Sequence, residues 1–313
     1  MSYTFRVTQD DDDRRLDRTL RSLFKWITLG EIMKSIRKGE VRINSKRVRE
    51  PGTHIFAGDE LIVKWDPTNQ NSDNDSKIFT HKSWGGIKIL YQGKNVLILN
   101  KPSGMLVQPD EAGGDSVISR VWSMLGTKTP AAVHRLDRNT TGVLAVALHG
   151  DSLRALEELF KIRNVKKFYL AVVTGKAPEK ITIDAPLMKD ADNNLVSVSD
   201  EGLKAVTNCE RLATDPQGKF SLVRLELLTG RTHQARVHMA HIKHSILGDR
   251  KYGDFRVNRL MKNVTRPLLH AHELQFPEHL HESLSEIAGK KFTAPLPDDM
   301  KNFIEAREFN YEN

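Results

Sequence analysis

Short apolar runs with the length of β-strands dominate the chain after about residue 84, and they constrain the fold more than any other feature. They read IKILYQ (87–92), NVLILNK (95–101), VLAVAL (143–148), FYLAVVTG (168–175) and FSLVRLELL (220–228). Helical patterns such as DSLRALEELFKI (151–162) lie between them, but helices and strands do not alternate regularly. A doubly wound parallel fold needs that alternation, so the pattern predicts an α+β domain with a mixed, largely antiparallel sheet.

A smaller module is indicated before this domain. Leucines recur at helical spacing from residue 16, and Thr28 followed by Glu31 has the form of a capping box that opens a second helix. Gly39 supplies a helix stop, and VRIN (41–44) and LIVKW (61–65) resemble short strands. The pattern predicts a compact helix–helix–strand module.

Positive charge is concentrated in this module. Residues 14–49 carry 12 Lys or Arg against three acids, a surplus of nine that exceeds the formal net charge of +8 of the whole chain. A charge run is usually a solvated face, but acidic partners four residues away are largely missing here, which favours a phosphate-binding surface. The cations that we expect to contact RNA are Lys34, Arg37, Lys38, Arg42, Lys46 and Arg47.

The run from RLDRTL (15–20) through IRKGEVRINSKRV (36–48) to GDELIV (58–63) resembles the S4 RNA-binding domain. This resemblance implies binding to structured RNA. The S4 domain occurs in several classes of enzyme, however, so the resemblance does not identify a reaction.

A polar segment separates the two parts of the chain. Residues 66–83 read DPTNQNSDNDSKIFTHKS, a composition typical of a linker. We therefore predict an N-terminal tail at 1–13, an RNA-binding domain at 14–65, a linker at 66–84 and a larger domain at 85–313.

Composition excludes several classes of protein. The single cysteine, Cys209, rules out an intramolecular disulfide and suits a reducing compartment. The N-terminus, MSYTFRVTQDDDD, has no apolar core of a secretory signal, and no apolar run approaches the ~20 residues of a membrane span. We expect a soluble, cytoplasmic protein without a membrane partner.

The stretch HRLDRNTTG (134–142) places one carboxylate, Asp137, between Arg135 and Arg138, with apolar residues on both sides. A lone Asp in a turn is usually a helix cap or half of a surface ion pair. A charged cluster between two apolar segments is also a place where a reacting carboxylate can be held. From this stretch alone, both interpretations stay open.

Three other stretches carry candidate groups. NKPSGMLVQP (100–109) brings Lys101, KFYLAVVTG (167–175) places Tyr169 in a strand, and LLTGRTHQARVH (227–238) sets Arg231 before a helix capped by Thr232. Taken alone, the tyrosine could equally be a core residue. A cation at a helix N-terminus opposes the helix dipole, so the arginine needs a nearby carboxylate.

Together these stretches resemble the catalytic domain of the RluA-type pseudouridine synthases. The domain order resembles the RluC- and RluD-like branch, which acts on large-subunit ribosomal RNA. RPLLHAHELQF (266–276) and FTAPLP (292–297) extend the resemblance to about Pro297. HRLDRNTTG is its most specific element. Two departures are mild: TTG stands where TSG is frequent, and Ala235 stands where a larger aliphatic is common.

The resemblance implies a pseudouridine synthase fold and the isomerisation of specific uridines in 23S ribosomal RNA. By this resemblance Asp137 is the catalytic aspartate, Tyr169 the active-site tyrosine and Arg231 the arginine that forms a salt bridge with the aspartate. The residue types suit the chemistry. Breaking a glycosidic bond needs a carboxylate as nucleophile or proton acceptor, and a detached uracil needs an aromatic face.

The same resemblance extends to the RNA contacts and the partners. Arg135 matches the arginine that fills the gap left by a flipped-out nucleotide, while Lys101 and Arg138 are expected to contact phosphate or to support the loop. The expected partner is ribosomal RNA or a ribosomal precursor, and the expected state is a monomer. The reaction involves no redox change and no group donor, so we expect no cofactor and no metal.

Other functions were weighed on the sequence. Four histidines between residues 233 and 244 suggest a metal site, but no HExxH spacing or paired Cys supports zinc. An RNA methyltransferase would need a glycine-rich loop such as GxGxxG, which the sequence lacks. A non-enzymatic RNA-binding protein would leave Asp137 with a structural role only, an alternative that substitution of this residue decides.

Overall fold

The computed structural model describes residues 2–7, 12–23, 29–64, 86–109, 114–190, 193 and 195–311. These residues fall in two compact units, 1–82 and 83–313, each with its own apolar core. The predicted linker at 66–84 lies outside the described residues, as does Thr28, the predicted cap of the second helix.

Unit 1 is a four-stranded antiparallel sheet with two helices among its described residues. Its elements are β1 (Ser2–Arg6), β2 (Arg14–Arg15), α1 (Leu16–Leu23), α2 (Leu29–Lys38), β3 (Val41–Ile43), β4 (Lys46–Val48), β5 (His54–Ile55) and β6 (Glu60–Lys64). The sheet order is β1-β6-β3-β4, and β2 pairs with β5. The predicted helix–helix–strand order is confirmed. The tail predicted at 1–13 is wrong in part, because β1 pairs in register with β6.

The apolar spacing of the two helices explains how unit 1 packs. Leu16 and Leu20 of α1 and Ile32 and Ile36 of α2 are fully buried in one cluster with the sheet. Gly39 ends α2 with a φ of 73°, as the sequence predicts. The opposite, exposed side of α2 is left to its basic residues.

Unit 2 is built around one long sheet. Its first elements are β7 (Lys88–Gln92), β8 (Val96–Lys101), α3 (Val117–Leu125), β9 (Ala131–Ala132), β10 (Thr141–Ala147), α4 (Gly150–Lys161), β11 (Lys166–Thr174), β12 (Lys180–Asp184), β13 (Leu187–Asp190) and β14 (Leu195–Val198). These are followed by β15 (Val206–Thr214), β16 (Phe220–Leu227), α5 (Gln234–His241), α6 (Phe255–Leu260), β17 (Leu269–Gln275), a 3-10 helix (Glu282–Ile287), β18 (Lys291–Thr293) and α7 (Asp298–Ala306).

The strand order is β12-β15-β16-β11-β17-β10-β8-β7, with β18 beside β17 and β9 beside β10. The pairs are antiparallel except β10 with β17, which run parallel. The predicted mixed, largely antiparallel α+β fold is therefore confirmed. Strand β17 lies in the middle of the sheet, although it comes late in the chain.

Both faces of this sheet are covered, which explains the uninterrupted apolar runs in the sequence. In β8, for example, Leu97 and Leu99 join the cluster packed under α3 and α5, while Val96 and Ile98 join the cluster under α4 and the 3-10 helix. Tyr169 lies on the α5 side, and this orientation sets the position of the site described below.

Gly142 is required where β10 meets β17. Its φ is 117°, and a Cβ atom there would lie 2.0 Å from the carbonyl oxygen of Ala271. No side chain fits such an approach, so the final glycine of HRLDRNTTG fixes the parallel pair directly after the Asp137 loop. Across the described ranges, no helix is both long and apolar enough to span a membrane.

Candidate active site

The loop 134–140 is held at both ends by hydrogen bonds. His134 Nε2 accepts a hydrogen bond from the backbone N–H of Ala145 (2.9 Å), and its ring stacks on Phe160 at 4.7 Å. Burial, with a smaller effect of Lys167, lowers the pKa of His134 to about 3, so the ring is neutral at pH 7. At the other end, the N–H of Thr140 donates to the carbonyl of Asp137 (3.0 Å) and closes a turn.

Lys101 supports this loop from below. Its Nζ donates to the carbonyl oxygens of Pro102 (2.9 Å), Met105 (2.7 Å) and Arg138 (2.9 Å), and the residue is 0% exposed. Burial is the main reason that its pKa falls to about 7. A fully buried ammonium cannot reach a phosphate. The assignment of Lys101 as an RNA-binding residue is therefore wrong, and its predicted alternative, support of the loop, is what the contacts show.

Asp137 forms its salt bridge with Arg236, not with Arg231. Arg236 Nη1 lies 2.9 Å from Asp137 Oδ2, whereas the Nε of Arg231 donates to the carbonyl oxygen of Lys204 (3.1 Å). The predicted pairing with Arg231 is thus wrong, although this residue lines the same cleft. The reason is local: Arg231 precedes α5, and Arg236 sits in the first turn of the helix.

A second carboxylate holds Arg236 in place. Its Nε and Nη2 contact the two oxygens of Asp249 at 2.7 and 2.9 Å, and Asp249 also accepts hydrogen bonds from the N–H groups of Lys251 and Tyr252. Although burial opposes it, the hydrogen bonds from Arg236 contribute most to a lowered pKa of Asp249. Because Asp249 occupies two nitrogens of the guanidinium, the third is aimed at Asp137.

Asp137 faces the cleft with one oxygen free. Its side chain is 31% exposed, and within the described part of the chain Oδ1 accepts no hydrogen bond. The cleft is lined by Arg135, Leu136, Asp137, Thr140, Tyr169, Leu227, Arg231, His233, Gln234, Ala235, Arg236 and Leu269. It therefore brings together all three residues predicted to be catalytic, and Arg135 as well.

Tyr169 stands on β11 at a β-bulge. The pairing of β11 with β17 shifts register between Phe168 and Tyr169, where β17 carries one extra residue, His272, while the pairing of β11 with β16 stays regular. The side chain of Tyr169 lines the cleft. Tyr169 is 8% exposed. Burial, and to a lesser extent the charge of Asp137, raises the pKa of its phenol, so the hydroxyl keeps its proton at neutral pH.

His233 and Tyr252 form a hydrogen-bonded chain on the other side of Asp137. The N–H of Val196 donates to Tyr252 Oη (3.0 Å), Tyr252 Oη lies 2.8 Å from His233 Nδ1, and His233 Nε2 lies 3.9 Å from Asp137 Oδ2. A proton on Nε2 faces the carboxylate, while Nδ1 accepts from the hydroxyl. This tautomer lets Nδ1 accept a hydrogen bond from Tyr252, while Nε2 lies near the carboxylate but beyond hydrogen-bond distance. Burial lowers the pKa of His233, so its ring is neutral at pH 7.

The helix that carries Arg236 begins later than the sequence predicts. Thr232 is not its cap. The helix starts at Gln234 after His233, which has a left-handed φ of 55°. Gln234 is buried and uses its amide as a local anchor, accepting from the N–H of Arg231 and from the hydroxyl of Thr229. Side-chain amide contacts replace the expected hydroxyl cap.

The neighbouring histidines have separate partners. His238 contacts the Thr207 hydroxyl and the Ala185 carbonyl, and His244 contacts the Thr174 carbonyl. In the described residues no group of three or more potential ligands could hold a metal ion. These histidines are structural.

Sequence reasoning missed Arg236, Asp249, His233 and Tyr252. One signal for Arg236 was available: it is the one cation between the apolar residues Ala235 and Val237 in a helix that packs on the sheet. A guanidinium in such a place needs carboxylate partners. The residues from 249 to 252 lie in a turn without periodicity, so nothing in their spacing indicated contact with Asp137.

The predicted RNA-binding residues other than Lys101 are mostly exposed. Arg135 and Arg138 lie on the surface of the loop, and the Nε of Arg138 donates to the carbonyl of Gly104 (3.2 Å). In unit 1, Arg42 is half-buried and the other five predicted cations are exposed. Among the described residues, none of these six cations has a carboxylate within 4 Å.

Comparison with known proteins agrees with this geometry. Residues 95–241 match the family model described as RNA pseudouridylate synthase, and residues 14–61 match that of the S4 domain. The chain is 34% identical to the ribosomal large subunit pseudouridine synthase C of Escherichia coli, over 96% of this chain and 94% of the relative. It is also 34% identical to the protein of that name from Buchnera aphidicola, over 88% of this chain and 89% of the relative.

Among solved structures, the chain is similar to human RNA pseudouridylate synthase domain containing 4. The sequence identity is 27% and the TM-score 0.58, over 72% of this chain and 94% of the human one. The similarity therefore extends to the fold as well as to the motifs.

Proposed function

The chain belongs to the RNA pseudouridylate synthase family, and on that premise we propose that it isomerises specific uridines of 23S ribosomal RNA to pseudouridine. The relatives that match nearly the whole chain act, by their names, on the large ribosomal subunit. Unit 1 matches an RNA-binding domain, which suits a large RNA substrate.

One observation carries the proposal: Asp137 offers its unpaired Oδ1 to a cleft that also contains the Tyr169 ring. Detaching uracil from ribose needs a negatively charged oxygen near the glycosidic bond, to attack or to take a proton. Arg236 occupies only Oδ2, so it stabilises the charge of Asp137 and fixes the carboxylate while Oδ1 stays available.

Tyr169 supports the reaction as a ring and as a neutral phenol. After detachment, the uracil must turn so that its carbon meets the sugar, and a flat apolar wall keeps it in the cleft meanwhile. A raised pKa makes the phenolate scarce at neutral pH. We infer that Tyr169 packs against the base and donates a hydrogen bond, rather than removing a proton at the start of the reaction.

Unit 1 and the surface of the cleft are proposed to bind RNA. We assign phosphate contacts to the exposed Lys34, Arg37, Lys38, Lys46 and Arg47, to the half-buried Arg42, and to Arg135 and Arg138 of the loop at the cleft. We further propose an RNA-binding domain that includes β1 and ends near residue 65, joined by a linker to a domain at 85–313. We also propose that the protein acts as a monomer in the cytoplasm, where ribosomal RNA is found.

The experiment that tests this function is chemical mapping of pseudouridine in large-subunit ribosomal RNA. A strain that lacks this gene is complemented with the wild-type protein, with Asp137→Asn or with Asp151→Asn, which changes an exposed aspartate at the start of α4. We expect wild type and Asp151→Asn to restore the same sites and Asp137→Asn to restore none. If Asp137→Asn restored all pseudouridines, the assignment of Asp137 as the catalytic residue would be wrong. If the wild-type protein formed no pseudouridine in large-subunit ribosomal RNA, the proposed substrate would be wrong.

A further inference from the structure

Helix α6 presents apolar side chains to solvent. Phe255 is 75% exposed and Leu260 is 77% exposed, the two highest values among the exposed large apolar residues of the described chain. Single exposed apolar residues are ordinary. Phe255 and Leu260 are five positions apart, about 140° around the helix, so they lie on different sides of its exposed surface, which we call the α6 patch.

Cations surround this patch. Residues 250–262 contain five exposed cations, Arg250, Lys251, Arg256, Arg259 and Lys262, and one acid, Asp254. Asp254 caps α6 by accepting hydrogen bonds from the N–H groups of residues 256 and 257. Among the described residues no carboxylate lies within 4 Å of Arg256 or Arg259. The sequence outside 14–49 is close to neutral, so a local surplus of four positive charges stands out.

The orientation of α6 is fixed by its inner face. Val257 and Met261, one helical turn apart, pack against the cluster that contains Leu247, Leu268 and Met300. The outer face of the same helix therefore has to carry Phe255, Arg256, Arg259 and Leu260. The patch is a consequence of a packed helix.

Hydrogen bonds connect α6 to the cleft. Asn258 Nδ2 donates to the backbone carbonyl of Asp249 (3.0 Å), and Asn258 Oδ1 accepts from the N–H of Gly248 (2.9 Å). The side chain of Asp249 holds Arg236, which in turn holds Asp137. Helix α6 is thus tied to the candidate catalytic carboxylate through three side chains, those of Asn258, Asp249 and Arg236.

We propose that residues 250–262 form a second RNA-binding surface, which holds the strand next to the target uridine. Arg256 and Arg259 bind phosphates, and Phe255 stacks on an unpaired base. The exposed ring of Phe255 beside Arg256 and Arg259 suits single-stranded RNA, because the RNA backbone supplies the negative charge and every base supplies a flat face. This inference rests on the proposed function. A protein partner would need complementary acidic and apolar groups, and it is an outcome of the test below.

The test uses the full chain and large-subunit ribosomal RNA from a strain that lacks this gene. The double variant Arg256→Gln/Arg259→Gln is compared with a control, the double variant Lys176→Gln/Lys219→Gln. Lys176 and Lys219 are exposed cations, one just after β11 and the other just before β16. Phe255→Ser is compared with Ile162→Ser, an exposed apolar residue after α4. KM and kcat for pseudouridine formation are measured over a range of salt concentrations.

We expect the arginine variant to raise KM with kcat within about twofold of wild type. The slope of log KM against log salt should fall by roughly 1.4 to 1.8, the loss of two phosphate contacts. Phe255→Ser should raise KM by at least about fivefold, the size of one base–aromatic stack. Both control variants should match wild type.

Two results would overturn the proposal. One is that both α6 variants match their controls in KM and in slope. The other is normal turnover of purified RNA with loss of activity only on ribosomal precursor particles, which would assign the surface to a protein.

If wild type forms no pseudouridine, the proposed function fails by itself. The surface is then tested with a labelled oligouridine of about 20 nucleotides bound to the same full-length variants. Weaker binding of the α6 variants than of their controls supports the surface, and equal binding rejects it.

Discussion

Arginines serve opposite purposes in the two units. In unit 1 the predicted RNA-binding cations stand mostly exposed, with no carboxylate within 4 Å among the described residues. In unit 2 the side chain of Arg236 is 12% exposed and contacts two carboxylates at once. An unpaired, hydrated cation is free to bind a phosphate, whereas a saturated one can only hold another group in place. Whether an arginine is available to bind RNA or instead holds a carboxylate in place depends on its ion pairs and its burial more than on the residue type.

The largest effect that tests this comparison is on stability. Arg236→Gln leaves Asp249, which is 1% exposed, as a buried charge without its partner, so we expect the free energy of unfolding to fall by about 3–5 kcal/mol. Arg37→Gln, on the exposed side of α2, should change it by less than about 0.5 kcal/mol. Urea denaturation of both variants measures the difference. Equal decreases in the free energy of unfolding would mean that burial does not make Arg236 more important for stability than Arg37.

The second prediction concerns pH and the anchor of the Asp137 loop. The pKa of His134 is about 3 in the folded chain and lies near 6.5 in the unfolded one. Between these values the unfolded chain binds the extra proton. The stability that neutral His134 provides above pH 6.5 is therefore lost as the pH falls, by about 1.4 kcal/mol per pH unit.

This pH effect is measured by urea denaturation of wild type and His134→Gln at pH 6.5, 5.5 and 4.5. The variant should show a shallower dependence, and His279→Gln, which changes an exposed histidine, should keep the wild-type one. An unchanged slope in His134→Gln contradicts the prediction.

The third prediction examines the exposed cations as a group. Arg37→Gln with Arg47→Gln should raise KM for ribosomal RNA roughly tenfold near 0.15 M salt, with kcat unchanged, because both lie in unit 1 and only contribute to binding. The salt dependence of KM should weaken by roughly one unit of slope per cation. A fall in kcat at saturating RNA would show that unit 1 does more than capture substrate.

The smallest effect on activity is expected from the pair of His233 and Tyr252, which lies next to Asp137. Tyr252→Phe keeps the ring that packs on Arg236 but removes the hydroxyl that contacts His233 Nδ1. We expect kcat to fall about twofold to tenfold, the size of one neutral hydrogen bond, with KM unchanged. Single-turnover kinetics measures it. Loss of activity as severe as in Asp137→Asn would mean that Tyr252 does more than orient the histidine.

Local patterns predicted much of the fold. The five apolar runs form β7, β8, β10, β11 and β16, because both faces of the sheet are covered and each run therefore stays apolar along its length. The motif HRLDRNTTG also predicted the candidate carboxylate, Asp137, through its resemblance to the family, and its last residue, Gly142, is required where β10 meets β17.

Contacts between distant segments were the part that sequence could not provide. Arg236 and Asp249 meet through a turn without periodicity, and the bulge at Tyr169 depends on the pairing of β11 with β17. The error with Arg231 has the same origin. Arg231 lies before α5 and its Nε donates to the carbonyl of Lys204, whereas Arg236 lies in the first turn of α5 and reaches Asp137.

The central place of β17 has a consequence for protein synthesis. Asp137 precedes β10 in the part of the sheet made by β7, β8 and β10, and Tyr169 lies in the part made by β11, β12, β15 and β16. In the sheet order of the described residues, β17 lies between these two parts. A nascent chain that has not yet been synthesised past residue 275 contains both halves of the cleft but lacks the complete strand β17 between them. The enzyme should therefore stay inactive during its own translation until β17 has left the ribosome and has paired with β10 and β11.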